Sequence, residues 1–199
     1  MEELARRGLP ATFFVVPGMV GGAGFWWDRL TSPGTDGPSV ELRAEALDRG
    51  RGAETAIGAI ARRRRMRAHA LPPHARPGGE ALLRAAASVP GVTFGSHTWS
   101  HPNLARLAAA KFPAELDAPL RWLRERFPSA AIPWLSYPYG LSTPAVAIAA
   151  RAYGYAGAVR IDGGWLRGPA DPFALPRLNV PAGLSPAGFA LRAAGLLCG

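Results

Sequence analysis

Two histidines, His97 and His101, stand four residues apart in the stretch GSHTWSHPNL, in a chain that has only four histidines. Neutral imidazole is a good ligand for zinc and similar divalent ions. Residues four apart share one face of a helical turn. A pair placed where a strand ends, with Pro102 directly after it, can aim both side chains at one point. The chemistry this suggests is metal binding. Spacing alone leaves a second reading open, in which these are two unrelated polar loop residues. Other reactive groups are sparse. Cys198 is the single cysteine, so no intrachain disulfide and no thiolate cluster can form. The glycines around Gly78 lack the Lys-Ser/Thr ending of a phosphate loop. Asp28 and Asp162 are candidate carboxylate ligands, although lone acids in loops are more often solvated. His69 and His74 lie in a basic, proline-rich stretch and read as solvent-facing.

Strands must carry these residues. ATFFVV, after Pro10, is β-branched and aromatic and reads as a buried strand ended by Pro17-Gly18. GVTFGSHT reads as a strand running into a polar turn that holds both histidines. IPWLSYPYG reads as a strand ending in a rigid turn, and YAGAVRI and FALPRLNV are further candidate strands. Helical patterns alternate with them. Glu2–Arg7, GFWWDRL, Val40–Ala70 with breaks at Gly50, Gly52 and Gly58, and Glu80–Ala87 come first. Leu116, Leu120, Leu123 and Phe127 then recur at helical spacing. LSTPAVAIAARAYG has a Ser/Thr cap, Pro144 in its first turn and Gly154 at its far end. LSPAGFALRAAGLL is the last helix. Strands alternating with helices imply βα units and a mainly parallel sheet, whose sites gather at the C-terminal ends of strands. SHTWSH and SYPYG both fall at such ends.

The 199 residues suit one domain with a real hydrophobic core. A formal net charge of +9 favours acidic partners. Its densest source, ARRRRMRAHA from Ala61 to Ala70, reads as a patch for nucleic acid or an anionic glycan, or as the wet face of an Arg-rich helix. No aromatic residues interleave with the charges as a stacking platform requires, so the solvated face is favoured and no specific nucleic-acid partner is expected. No uninterrupted apolar run reaches the length of a membrane span, about 20 residues. ARRGLPATFFVVPGMVGGAG has a faint signal-peptide character, but Pro10, Pro17 and its glycines interrupt it, and a cytoplasmic setting is expected.

The stretch GVTFGSHTWSHPNLARL resembles the second motif, H-[S/T]-x-x-H, of the polysaccharide deacetylases, the nodulation-type chitooligosaccharide deacetylase homology domain. LPATFFVVPG is similar to the strand that follows the first motif of that family, and LSYPYG resembles its third motif. FWWDRL and LPRLNV resemble segments of a branch with an insertion after the second strand. The resemblance implies a single domain over residues 1–199 with a helical insertion at about 25–78, folded as a distorted (β/α) barrel. It implies removal of N- or O-acetyl groups from a polysaccharide or sugar-lipid precursor, with a divalent metal, expected to be zinc, held by His97 and His101. It assigns the Tyr139 N–H, after Pro138, to the oxyanion. Trp99, Tyr137, Pro138 and Trp165 are the expected walls of a groove for acetylated carbohydrate.

The chain also departs from the family pattern. The first motif, T-F-D-D-G, is absent, so the expectation is that the first strand of the barrel, with the general base and a metal-ligating aspartate, lies upstream of Met1. Ser136 stands where the third motif often has Arg. No histidine follows His101, which leaves the role of a late general acid vacant. Asp162-Gly163-Gly164-Trp165 matches a fourth motif of Asp and Trp loosely and reads equally as a surface turn. The alternative expectation is therefore a catalytically inactive homologue that binds carbohydrate or a protein partner.

Overall fold

A computed structural model describes residues 2–31, 37–166, 168–181 and 183–196. Five parallel strands pair in chain order, β1 (Ala11–Val15), β2 (Val92–Ser96), β3 (Ala131–Ser136), β4 (Gly157–Gly163) and β5 (Leu175–Arg177). Each expected strand forms. The (β/α) barrel expected without its first strand is found as an open parallel sheet: among the described residues β1 and β5 are its two edges and do not pair with each other. In β1 the burial is uneven: Val15 is buried, while Phe13 is 38% exposed.

The helices are α1 (Glu2–Arg6), α2 (Trp26–Leu30), α3 (Val40–Asp48), α4 (Glu54–Arg63), α5 (Glu80–Ala87), α6 (Ala118–Arg126), α7 (Pro144–Ala152) and α8 (Pro186–Ala193). The Thr143 hydroxyl caps α7 by accepting from the Val146 N–H, with Pro144 in the first turn, where its missing N–H costs nothing. Gly58 sits inside α4 rather than ending it, while the chain does break at Gly50–Gly52, between α3 and α4.

The sheet is held by the apolar stripe that the helical spacing marked out. Leu116, Leu120, Leu123 and Phe127 are all buried. Leu116 and Leu120 meet Leu135 and Val146, whereas Leu123 and Phe127 meet Val15, Val92 and Phe94. Burying one such side chain contributes about 1.5–3 kcal/mol, so α6 ties the two halves of the sheet together. Pro133 lies in β3, a central strand, where it cannot donate to the ladder. The register accommodates it: Phe94 pairs with Ala131 but Ser96 with Leu135, so β3 bulges around the proline.

Helices α2, α3 and α4 form a satellite cluster of Trp26, Leu42, Ala46, Ile57 and Ile60. It docks on the histidine loop through Asn103. The Asn103 N–H donates to the Arg51 carbonyl, and its side-chain amide donates to the Leu47 carbonyl. The Arg-rich stretch is exposed along its arginines, but Arg63 and Arg64 both grip Glu45 of α3, whose side chain is only 11% exposed. Among the described residues no helix is long and apolar enough to cross a membrane. Cys198 lies outside them.

Candidate functional site

The last residue of β2 is Ser96, and His97 follows it at the C-terminal edge of the sheet. Its backbone N–H still donates to Val15 of β1, 2.8 Å away, so the side chain leaves from a fixed point. Beyond it the chain turns tightly. Thr98 and His101 both have left-handed backbones, with φ of 65° and 61°. That is an outlier for a β-branched residue and marks local strain that the surroundings must hold. Side chains supply the restraint. The Ser96 hydroxyl accepts from the Thr98 N–H at 3.3 Å, and the Thr98 hydroxyl accepts from the His101 N–H at 3.0 Å. Glu115, just before α6, accepts from the N–H groups of Trp99 and Ser100 and from the Ser100 hydroxyl, at 3.0, 2.9 and 2.6 Å. It sits on a π-type turn, Pro113–Asp117, an irregularity that recurs at functional sites.

The loop brings the two imidazoles together. His97 Nε2 and His101 Nε2 are 3.1 Å apart. His97 Nδ1 is 2.6 Å from the Ser136 carbonyl. A carbonyl only accepts, so Nδ1 carries the hydrogen and Nε2 presents a bare lone pair. His101 Nε2–H then donates to that lone pair, which leaves His101 Nδ1 buried and without a partner. Burial lowers the pKa of His97 to about 4, opposed by the Ser136 bond and assisted by the Arg177 charge. Burial, then the charge of His97, lowers His101 to about 3. Both rings are therefore neutral near pH 7, the form that ligates a cation.

The pair fits two positions of a zinc site. Nitrogens about 2.05 Å from a tetrahedral zinc stand roughly 3.3 Å from each other, close to the observed separation. The Ser136 carbonyl held against His97 Nδ1 is also the usual device for orienting a ligating imidazole. The expected set is not complete, because among the described residues no three of His, Cys, Asp or Glu come together. Asp28 lies on α2, its carboxyl pushed up by partial burial. The side chain of Asp162 lies outside the described residues.

An aromatic wall faces the pair. Trp27 packs on His101 with ring centres 5.0 Å apart, and Phe25 stacks flat on Trp27 at 4.5 Å. Tyr139 meets His101 edge-on at 4.6 Å, and its hydroxyl accepts from the Trp26 indole N–H at 3.0 Å. Tyr139 follows β3 with φ 58°, a left-handed turn residue, and burial pushes its hydroxyl up to about 12. Trp26, Trp27 and Tyr139 line a cavity of about 280 Å³ together with both histidines.

The structure thus gathers His97, His101, Tyr137 and Tyr139 at one cavity. Tyr137 is fully buried and its hydroxyl donates to the Phe173 carbonyl. Pro138 is buried beneath the turn, outside the lining. Trp99 lies instead against Gly18, whose N–H donates to the Trp99 carbonyl at 2.9 Å. Trp165 is 51% exposed and beside Gly195, away from the cavity lining. Trp26, Trp27, Arg43 and Arg177 were not foreseen as site residues. The aromatic run FWWDRL was the one available signal for the first two.

A family model described as polysaccharide deacetylase matches residues 1–158. The chain belongs to the polysaccharide deacetylase family. Solved structures share the fold of this deacetylase domain at low identity. The Streptococcus pyogenes deacetylase PplD, in complex with acetate, superposes with a TM-score of 0.61 at 15% identity, over 96% of this chain and 61% of that one. IcaB from Ammonifex degensii gives 0.58 at 17% identity, over 96% and 63%. The de-N-acetylase from Aggregatibacter actinomycetemcomitans gives 0.57 at 13% identity, over 96% and 68%. The domain therefore spans roughly three-fifths to two-thirds of the length of these relatives. No curated protein matches it in sequence.

Proposed function

We propose that the chain forms the histidine-bearing side of a metal-assisted deacetylase that removes N- or O-acetyl groups from an acetylated carbohydrate. The observation that carries this reading is the His97–His101 pair, converging at Nε2 and oriented by the Ser136 carbonyl at the floor of an aromatic cavity. A divalent cation such as zinc, if bound there, would supply Lewis-acid polarisation of the acetyl carbonyl and lower the pKa of an attacking water. His97 and His101 would hold it, both already neutral, with His101 moving its proton from Nε2 to the unpartnered Nδ1. Trp27 and Tyr139 present apolar ring surface on which a sugar face can pack while excluding bulk water. Tyr139, held in its left-handed turn and pinned by Trp26, is the residue we assign to the acyl oxygen through its main-chain N–H. Its phenol stays protonated and acts as a positioned donor or as wall, not as a base.

A second reading, glycan binding without turnover, has its own support. No carboxylate lines the cavity among the described residues, so none of its lining groups is a ready general base. Acetate release from a fully acetylated chitooligosaccharide, measured with added zinc and again with chelator, separates the two. The deacetylase reading expects release that the chelator abolishes and that His97→Ala removes. Oligosaccharide binding without any acetate release under zinc would overturn it in favour of the silent binder.

A further inference from the structure

The cavity has an unbalanced charge. Arg43 reaches it from α3 and Arg177 from the end of β5, and no carboxylate stands between them among the described residues. The remaining lining is aromatic or apolar apart from the histidines, which are neutral near pH 7. Arg177 is placed rather than loose. Its Nε donates to the Arg160 carbonyl, and its guanidinium lies over the Phe14 ring, 5.9 Å from the centre. That arrangement commits the inner nitrogen and leaves the two terminal nitrogens without a hydrogen-bond partner among the described residues. It is half-buried, and partial desolvation weakens its hold on its own proton, which an anion would reverse. Arg43 has no acidic partner among the described residues, whereas Arg29 pairs with Glu54, and Arg63 and Arg64 with Glu45. A partly desolvated guanidinium fork with open donors is suited to a carboxylate or phosphate, which it meets with two parallel hydrogen bonds.

We infer that the cavity takes an acetylated saccharide bearing a negative charge close to its acetylated ring, with the anionic group seated between Arg43 and Arg177. The inference rests on the carbohydrate reading above and adds the substrate's charge to it. The aromatic wall takes the sugar face, the histidine pair faces the acetyl group, and the two guanidinium groups fix which way round the ring enters. A neutral acetylated sugar would leave Arg177 half-buried with its fork unused.

Three probes share one acetamido sugar and differ in charge: N-acetylglucosamine, N-acetylmuramic acid with its carboxylate, and N-acetylglucosamine 1-phosphate. Their dissociation constants are measured on the intact chain by calorimetry at low salt. At least one anion should bind about tenfold or more tighter than the neutral sugar, the size expected of a charge-assisted pair. The tighter of the two anions identifies carboxylate or phosphate as the group recognised. Arg43→Gln, an exposed position where folding is not at stake, should reduce the preference severalfold, and Arg177→Gln should abolish it. Arg62→Gln removes the same charge from α4, outside the cavity, and should leave it unchanged. Equal binding of all three probes would overturn the charge inference while the carbohydrate reading stands. So would an anion preference that survives both cavity variants, since the general positive field would then explain it. Absence of binding by any of the three would overturn the carbohydrate reading and this inference with it.

Discussion

Glu115 holds Ser100 twice, through the backbone N–H at 2.9 Å and the hydroxyl at 2.6 Å, and so braces the strained turn between the two site histidines. The same carboxylate takes the Trp99 N–H. Removing it leaves two amide donors of a half-buried loop without partners, at a cost of about 1–3 kcal/mol each when they stay dry. We expect Glu115→Ala to lower stability by about 2 kcal/mol and to weaken zinc binding. Glu115→Gln, which keeps one acceptor oxygen, should recover part of both. Hydrogen exchange at the Trp99 and Ser100 amides checks the cause. Unchanged protection at those two amides in the Ala variant would sink it.

The histidine pair also sets a pH dependence. Each imidazole titrates near 6.5 in the unfolded chain, and near 4 and 3 for His97 and His101 in the folded one. Between these values the unfolded chain binds more protons, so stability rises with pH. The contribution is complete above about 6.5, is lost as pH falls from there towards 4 and 3, and is flat below. Urea midpoints of the chelator-treated protein should therefore be lower at pH 5 than at pH 7.5. In His101→Phe the difference should shrink, whereas in His69→Gln it should persist. An identical pH response in all three proteins would contradict the assignment.

Gly52 lies where the α3–α4 turn meets the histidine loop. Its φ is 70°, and a Cβ there would stand 2.6 Å from the Asn103 backbone nitrogen. Gly52→Ala adds both left-handed strain and a backbone collision, so a loss of about 1–3 kcal/mol is expected. The contact it disturbs docks the helices that carry Trp26 and Trp27. The variant should therefore weaken saccharide binding more than a comparable loss of stability produced by Leu83→Ala on α5, which packs on the sheet core. Equal effects on binding from the two variants would show that the docking does not shape the cavity.

Arg63 and Arg64 converge on the sheltered carboxylate of Glu45. Reversing both to Glu places like charges around it, and a small but measurable loss of stability is expected. Arg62→Glu and Arg67→Glu, at exposed positions with no acidic partner among the described residues, should cost less. Thermal melts of the two double variants make the comparison, and equal shifts would show that Glu45 is not a tether.

Local pattern determined much of this protein. The β-branched and aromatic runs ATFFVV, GVTF and IPWLS are each followed within two residues by Gly or Pro, and each forms a strand because period and turn chemistry are properties of a few adjacent residues. The α6 stripe was legible for the same reason, and so was the closeness of His97 and His101, which share one turn. The rest depended on chain segments far apart. The tautomer of His97 rests on the carbonyl of Ser136, 39 positions away, and the hydroxyl of Tyr139 on Trp26, 113 positions away. Trp99 and Trp165 carried the right chemistry for a groove, yet packing set them against Gly18 and near Gly195, while FWWDRL supplied the wall instead. Closure of a barrel was likewise a tertiary matter, since the periodicity of a strand says nothing about whether the two edges of its sheet meet. Side-chain type and local period are written in adjacent residues. Which polar group faces which, and which face is covered, is decided only when burial and hydrogen bonding are satisfied across the whole chain at once.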